Sequence, residues 1–64
     1  MNLIEGLQKE MNRCSELLKE YEAIPQGKFG AIMVRTEIER AEKAIATGDT
    51  VTMMQSLEEL KGCN

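Results

Sequence analysis

The first third of the chain carries one apolar stripe at helical spacing. Its apolar residues follow alternating steps of three and four, which keeps them on one face of a helix for five turns. Leu3, Leu17 and Ile24 widen that stripe on one flank. Asn2 precedes it, with a glutamate three residues later, an arrangement typical of a capped helix start. This pattern predicts a first helix over about residues 3–23, whose stripe is Ile4, Leu7, Met11, Cys14, Leu18 and Tyr21.

Two further apolar patterns predict two more helices, over about residues 29–46 and 50–61. Between them, Gly48 suits the left-handed conformation that closes a helix, and Asp49 or Thr50 suits the cap of the next one. The predicted apolar positions are Ala31, Val34, Ile38, Ala41 and Ile45 in the second helix and Val51, Met53, Met54, Leu57 and Leu60 in the third.

Short connections make consecutive helices antiparallel, so the pattern predicts a single all-α domain over residues 1–64. It is a short three-helix bundle or, as the alternative, a long helical hairpin that carries a short third helix. A chain of 64 residues has a small core and usually needs a partner or another form of reinforcement. Several apolar positions lie beside the main stripes and would form a second apolar face, which favours a homo-oligomer. They are Leu3, Leu17, Ile24, Ile32 and Met33.

Composition disfavours several classes of function. Eight basic residues stand against eleven acidic ones, interspersed along the helices, so a nucleic-acid polymer is not the expected partner. The chain has no histidine, and its scattered carboxylates make no catalytic pair or metal motif. We therefore predict no catalytic residue, no metal site and no cofactor. No apolar run is long enough to cross a membrane and no signal-peptide pattern follows Met1, which together favour a cytoplasmic protein.

The two cysteines, Cys14 and Cys63, indicate reduced thiols in a chain without a secretory signal. Cys14 falls on the apolar stripe of the first helix, where a thiol acts as a small hydrophobe. A reducing compartment disfavours a disulfide between them.

The segment from Ile24 to Gly30 is the main candidate for a binding site. It holds the only proline, two glycines, a lysine and the only phenylalanine, and it ends one helix and starts another. Free N–H groups at a helix start favour a phosphate, with Lys28 and Arg35 supplying charge from one helix face. The two glycines would let the backbone approach the ligand, and Tyr21 or Phe29 would stack on a base. The predicted ligand-binding residues are Tyr21, Gly27, Lys28, Phe29, Gly30 and Arg35. The alternative is an ordinary turn, in which Phe29 packs into the end of the hairpin and Lys28 is solvated.

The stretch from Leu17 to Leu60, LLKEYEAIPQGKFGAIMVRTEIERAEKAIATGDTVTMMQSLEEL, resembles small helical proteins encoded by bacteriophages and prophages. Such proteins include anti-defence oligomers called sponges, which sequester cyclic nucleotide signals without cleaving them. The resemblance implies a homo-oligomer with a ligand site between protomers, lined by basic and aromatic residues.

Three hypotheses follow from the sequence. The first is a homo-oligomer that sequesters a phosphate-bearing small ligand, such as a cyclic nucleotide immune signal. The second is a protein–protein interaction module, or an inhibitor of a host protein, that acts through an apolar helix face. The third is a purely structural assembly subunit.

Overall fold

Three antiparallel helices form the molecule. The computed structural model describes residues 2–63, with α1 at Leu3–Glu22, α2 at Lys28–Thr47 and α3 at Thr50–Lys61. A single 3₁₀ turn, Pro25–Gly27, joins α1 to α2. Each helix packs against the other two, in a body of 35 × 19 × 16 Å. The predicted all-α three-helix bundle is confirmed, and each predicted helix end lies within one residue of the observed one.

The helix ends form where local sequence chemistry predicts them. The side-chain oxygen of Asn2 accepts a hydrogen bond of 2.7 Å from the backbone N–H of Glu5. At the start of α3, the Asp49 carboxylate accepts the Thr52 N–H at 3.1 Å and the Thr52 hydroxyl at 2.7 Å. Gly48 closes α2 with a φ of 69°, a left-handed conformation that favours glycine. These contacts satisfy backbone groups that a helix end leaves without intrahelical partners.

The core lies along the shared axis of the three helices and is made of small and aliphatic side chains. Apart from Ile4, the predicted stripes of α1 and α2 face it, and Leu7 and Ala41 are fully buried there. Aromatic side chains contribute little, since Tyr21 only packs against its edge. The buried cluster is Leu7, Cys14, Val34, Ile38, Ala41, Ala44, Met53 and Leu60.

The apolar side predicted for α3 is partly wrong. Val51 and Met54 are 66% and 56% exposed, whereas Met53 and Leu60 are buried and Ser56 is buried with them. Residues 53, 56 and 60 share one face at helical spacing, and residues 51 and 54 are rotated away from it. The Ser56 hydroxyl has no hydrogen-bond partner among the described residues.

The second apolar face expected from the sequence is also smaller than predicted. Leu3 packs against the core and Leu17 is half-buried, while Ile4, expected on the α1 stripe, is nearly half exposed. Ile32 and Met33 do point outward, as does Ile24 before the 3₁₀ turn. Of the five residues expected on this face, the exposed ones therefore lie at the start of α2 or just before it.

Candidate functional site

The connection between α1 and α2 folds tightly onto the end of α1. Within it, the Gly27 N–H donates to the carbonyl of Ile24 at 3.0 Å. A Cβ built on Gly27 would overlap the carbonyl oxygen of Tyr21 and stand 3.0 Å from its carbonyl carbon. The residue at this position must therefore lack a side chain, because the nearest obstacle is backbone. In this structure, Gly27 allows the turn to pack closely against the backbone of Tyr21.

Lys28 and Arg35 come together as predicted. Both line a concavity of about 270 Å³ beside α1, together with Glu22, Ala31 and Ile32. The Arg35 guanidinium donates to the Glu22 carboxylate, and both side chains remain about half exposed. Two cations and one anion leave a formal charge of +1 in the concavity. A phosphate entering here would compete with Glu22 for Arg35.

Tyr21 and Gly30 lie in a different place from this basic pair. They line a groove of about 450 Å³ between α2 and the end of α3, which also includes Glu37, Glu58 and Glu59. The Tyr21 ring lies where a Cβ on Gly30 would meet it at 3.6 Å, an ordinary packing distance. Carboxylates surround this groove, so its electrostatics disfavour an anion. The six predicted ligand residues are thus distributed over separate surfaces.

Phe29 lies outside the core cluster. Its side chain is 84% exposed, which contradicts the alternative in which it packs into the end of the hairpin. Ile32 and Met33 follow it at three and four positions, which is one helix face, and are 58% and 69% exposed. These three residues, Phe29, Ile32 and Met33, form what we call the α2 patch. The sequence predicts Ile32 and Met33 as part of a spare apolar face, and it predicts Phe29 as a residue that stacks on a ligand.

A second group of apolar side chains lies at the opposite end of the bundle. Leu3, Ile4 and Met53 line a concavity of about 530 Å³ between the starts of α1 and α3. Val51 and Met54 are exposed on α3. Among the described residues, two buried side-chain oxygens lack a hydrogen-bond partner, the Ser56 hydroxyl and the Oε2 of Glu37. The Arg40 guanidinium lies 3.9 Å from that Glu37 oxygen.

Neither a metal centre nor a membrane span is found in residues 2–63. No three His, Cys, Asp or Glu side chains in that range are arranged to hold a metal ion. None of the three helices has a stretch both long enough and apolar enough to cross a lipid bilayer.

No family model, no curated protein and no solved structure matches this chain.

Proposed function

We propose that this chain is a small non-enzymatic interaction protein that binds a protein surface through the α2 patch. The observation that carries the proposal is the 84% exposure of Phe29 beside Ile32 and Met33 on one helix face. These three side chains are exposed and are not part of the core of the monomer. Exposed apolar patches commonly mark the binding sites of partners. This is the second of the three hypotheses from the sequence, an interaction module that acts through an apolar helix face, and the face that we propose is the α2 patch.

The patch has the shape of a helix that inserts into a groove or packs on another helix. Phe29, Ile32 and Met33 occupy positions i, i+3 and i+4, and Thr36 follows at i+7. The Thr36 hydroxyl donates to the Ile32 carbonyl at 2.8 Å, so its hydrogen-bonding capacity is used within the helix. Thr36 can therefore extend an apolar contact without leaving its hydroxyl unsatisfied.

Energetics favour a second copy of the chain as one partner. Burying a large apolar side chain contributes about 1.5–3 kcal/mol, so three contribute about 5–9 kcal/mol. Association costs about 4–15 kcal/mol, so one patch against a polar surface gives little net affinity. A symmetric pair buries the patch twice and doubles the favourable term. We therefore include homo-oligomerisation in the proposal, in a cytoplasmic setting that suits two free thiols.

The test compares two double variants, each of which replaces two exposed apolar side chains. Phe29→Ser with Ile32→Ser removes the patch, and Val51→Ser with Met54→Ser is the matched control at the other end of the bundle. All four residues are more than half exposed, so the circular-dichroism melts should stay near that of the native chain. Native mass spectrometry and light scattering then give the subunit count of each protein.

We expect an oligomeric native protein and control, and a monomeric patch variant. If the native protein is itself a monomer, self-association through the patch is excluded. In that case the interaction proposal requires a different partner protein, one that binds the native chain and the control in a pull-down but does not bind the patch variant. Equal retention by all three proteins would refute it.

Sequestration of a phosphate-bearing ligand is the second proposal, supported by the shared concavity of Lys28 and Arg35. The resemblance to phage anti-defence proteins supports a cyclic nucleotide as the ligand. In this proposal the two cations bind phosphate, and Glu22 opposes binding because it holds Arg35. Tyr21 lines the acidic groove, so Phe29 is the aromatic residue better suited to stack on a base.

Titration calorimetry with cyclic dinucleotides tests this second proposal. Lys28→Ala with Arg35→Ala should abolish binding, whereas Glu22→Gln should strengthen it by about threefold or more, because it releases Arg35. A ligand that binds the double variant as tightly as the native chain would remove these residues from the site. Absence of binding to the native chain and to Glu22→Gln would refute the proposal.

A further inference from the structure

Three groups converge on one oxygen atom where the end of α3 meets α1. The Leu60 carbonyl accepts the Cys14 thiol at 3.3 Å, the Arg13 Nη2 at 2.7 Å and the Cys63 backbone N–H at 3.1 Å. The two cysteines are 49 positions apart in the chain, yet a single atom is hydrogen-bonded by both residues. Their proximity is therefore a product of the tertiary fold.

Arg13 keeps the end of the chain against α1. Its Nη1 donates to the Cys63 carbonyl at 2.9 Å, and its Nε donates to Glu10 at 3.1 Å, which orients the guanidinium. Cys63 packs against the edge of the core and remains partly exposed. The residue thus lies beyond the last turn of α3, held by hydrogen bonds at both its N–H and its carbonyl.

We propose that Cys14 and Cys63 are a reactive pair that closes an intramolecular disulfide when the protein meets a low-molecular-weight disulfide, clasping the end of α3 to α1. The resting state is the dithiol, as the sequence predicts. The inference does not rest on the proposed function, because neither cysteine belongs to the α2 patch or to the basic concavity, although Met33 of the patch lines the same groove as Cys63.

The order of the two steps follows from exposure. Cys63 lines the open groove beside Tyr21 and Met33, so an external reagent reaches it first. Cys14 is fully buried, and burial raises the pKa of its thiol to about 11, with the neighbouring Cys63 adding to the rise. Since the thiolate is the attacking species, Cys14 is the poorer nucleophile towards reagents in solution.

The reaction balances as two thiol–disulfide exchanges. The Cys63 thiolate attacks the reagent disulfide, forms a mixed disulfide and releases one reagent thiolate. Cys14 then loses its proton to solvent and attacks the Cys63 sulfur, which releases the second reagent thiolate. In sum, two protein thiols and one reagent disulfide give one protein disulfide and two reagent thiols.

Closure should stabilise the bundle, because the bridge closes a long loop in the unfolded chain. Cys63 lies beyond Gly62, the residue that caps the end of α3, so the movement that closes the bridge falls on the end of the chain and not on a helix. We expect the oxidised protein to melt about 10 °C or more above the reduced one.

The experiment equilibrates the full chain with oxidised glutathione and follows mass and melting temperature. We expect a product that has lost two hydrogen atoms, has the same subunit count, and contains Cys14 linked to Cys63 in a non-reducing peptide map. Its melting temperature should return to the starting value on reduction. Disulfide-linked dimers, a lower melting temperature on oxidation, or free thiols at high oxidant would each overturn the proposal.

Two variants separate the steps. Cys63→Ser, at a partly exposed position, should fold normally and show the same melting temperature with and without oxidant. Cys14→Ala should stop at the mixed disulfide, with one glutathione attached to Cys63. Absence of reaction at Cys63 in this variant would contradict the assigned order. Because Glu58 and Glu59 line the groove, cationic cystamine should react faster than anionic oxidised glutathione at low salt. Equal rates would contradict attack through that groove.

Discussion

The two interhelical connections of this protein are both short and both contain glycine, yet they are built differently. The α2–α3 connection is satisfied by its own residues: Gly48 takes the left-handed conformation and Asp49 caps α3 with two hydrogen bonds. The α1–α2 connection has no side-chain cap at Ile24 or Gly27. Phe29 follows it almost fully exposed.

The residues of the α2–α3 connection all serve to end or start a helix. The α1–α2 connection is followed by an exposed side chain that has no such role. At the α2–α3 connection, each special residue answers a backbone requirement of a helix end. At the α1–α2 connection, only Gly27 answers such a requirement, by leaving room for the Tyr21 carbonyl. Phe29 adds large apolar area on the surface of the molecule, and its 84% exposure means that it contributes little to the packing of the monomer.

Among substitutions in the two connections, Gly27→Ala should cause the largest change in the free energy of unfolding. The new Cβ would overlap the Tyr21 backbone, which cannot move without shifting the end of α1. We expect a loss of about 2–3 kcal/mol in the free energy of unfolding, measured by urea denaturation. Gly27→Asn should be at least as harmful, because the cause is lack of space. A neutral Gly27→Ala would show that the turn does not pack on Tyr21.

Gly48→Ala should cost less, about 1–2 kcal/mol, because no atom lies within 4 Å of the added Cβ and only the positive φ is unfavourable. Asparagine tolerates the left-handed conformation, so Gly48→Asn should recover much of the loss. Rescue by asparagine at position 48 and not at position 27 would separate conformational cost from steric cost. Equal behaviour of the two asparagine variants would contradict the assigned difference.

Gly30→Ala should act in the opposite direction. The added Cβ meets the Tyr21 ring at 3.6 Å, and alanine is the better helix former within the first turn of α2. We expect a gain of up to about 1 kcal/mol in denaturant unfolding. If a ligand needs close backbone approach at Gly30, the same variant should bind cyclic dinucleotides more weakly while being more stable. Unchanged binding would remove Gly30 from the predicted ligand set.

The smallest effect concerns pH at the α2–α3 connection. The Thr52 hydroxyl, followed by the Thr52 N–H, holds the pKa of Asp49 below its ordinary value of 3.8. A lowered pKa in the folded state means that the cap stabilises above the unfolded pKa and weakens as pH falls through the folded one. Asp49→Asn keeps an acceptor at every pH, so its melting temperature should fall less than that of the native chain between pH 5 and about pH 2. Parallel pH profiles of the two proteins would contradict the role of the charged carboxylate.

Much of this fold could be predicted from short segments of sequence. Helix ends followed from Asn2, Gly48 and Asp49 because capping is a contact between near neighbours in the chain. The buried faces of α1 and α2 followed from spacing, since a three-and-four pattern defines one side of a helix wherever it packs. The spare apolar residues Ile32 and Met33 were visible for the same reason.

The remaining features depend on how the helices rotate and dock, and no local pattern contains that information. In α3, Val51 and Met54 compete with Met53 and Leu60 for the core, and contact with both neighbouring helices decides in favour of residues 53 and 60. A buried Ser56 follows from the same choice of face, since its position between two core residues outweighs its polarity.

The candidate site shows the same division. Periodicity on a single helix was enough to bring Lys28 and Arg35 together. Their separation from Tyr21, and the Glu22 carboxylate at Arg35, required the packing of α1 on α2. The convergence of Cys14 and Cys63 joins residues 49 positions apart. The helices, their caps and most of their core faces could be predicted from the sequence, because they depend on residues within a few turns of one another. Which distant side chains meet depends on the packing of whole helices, so that information comes from the fold.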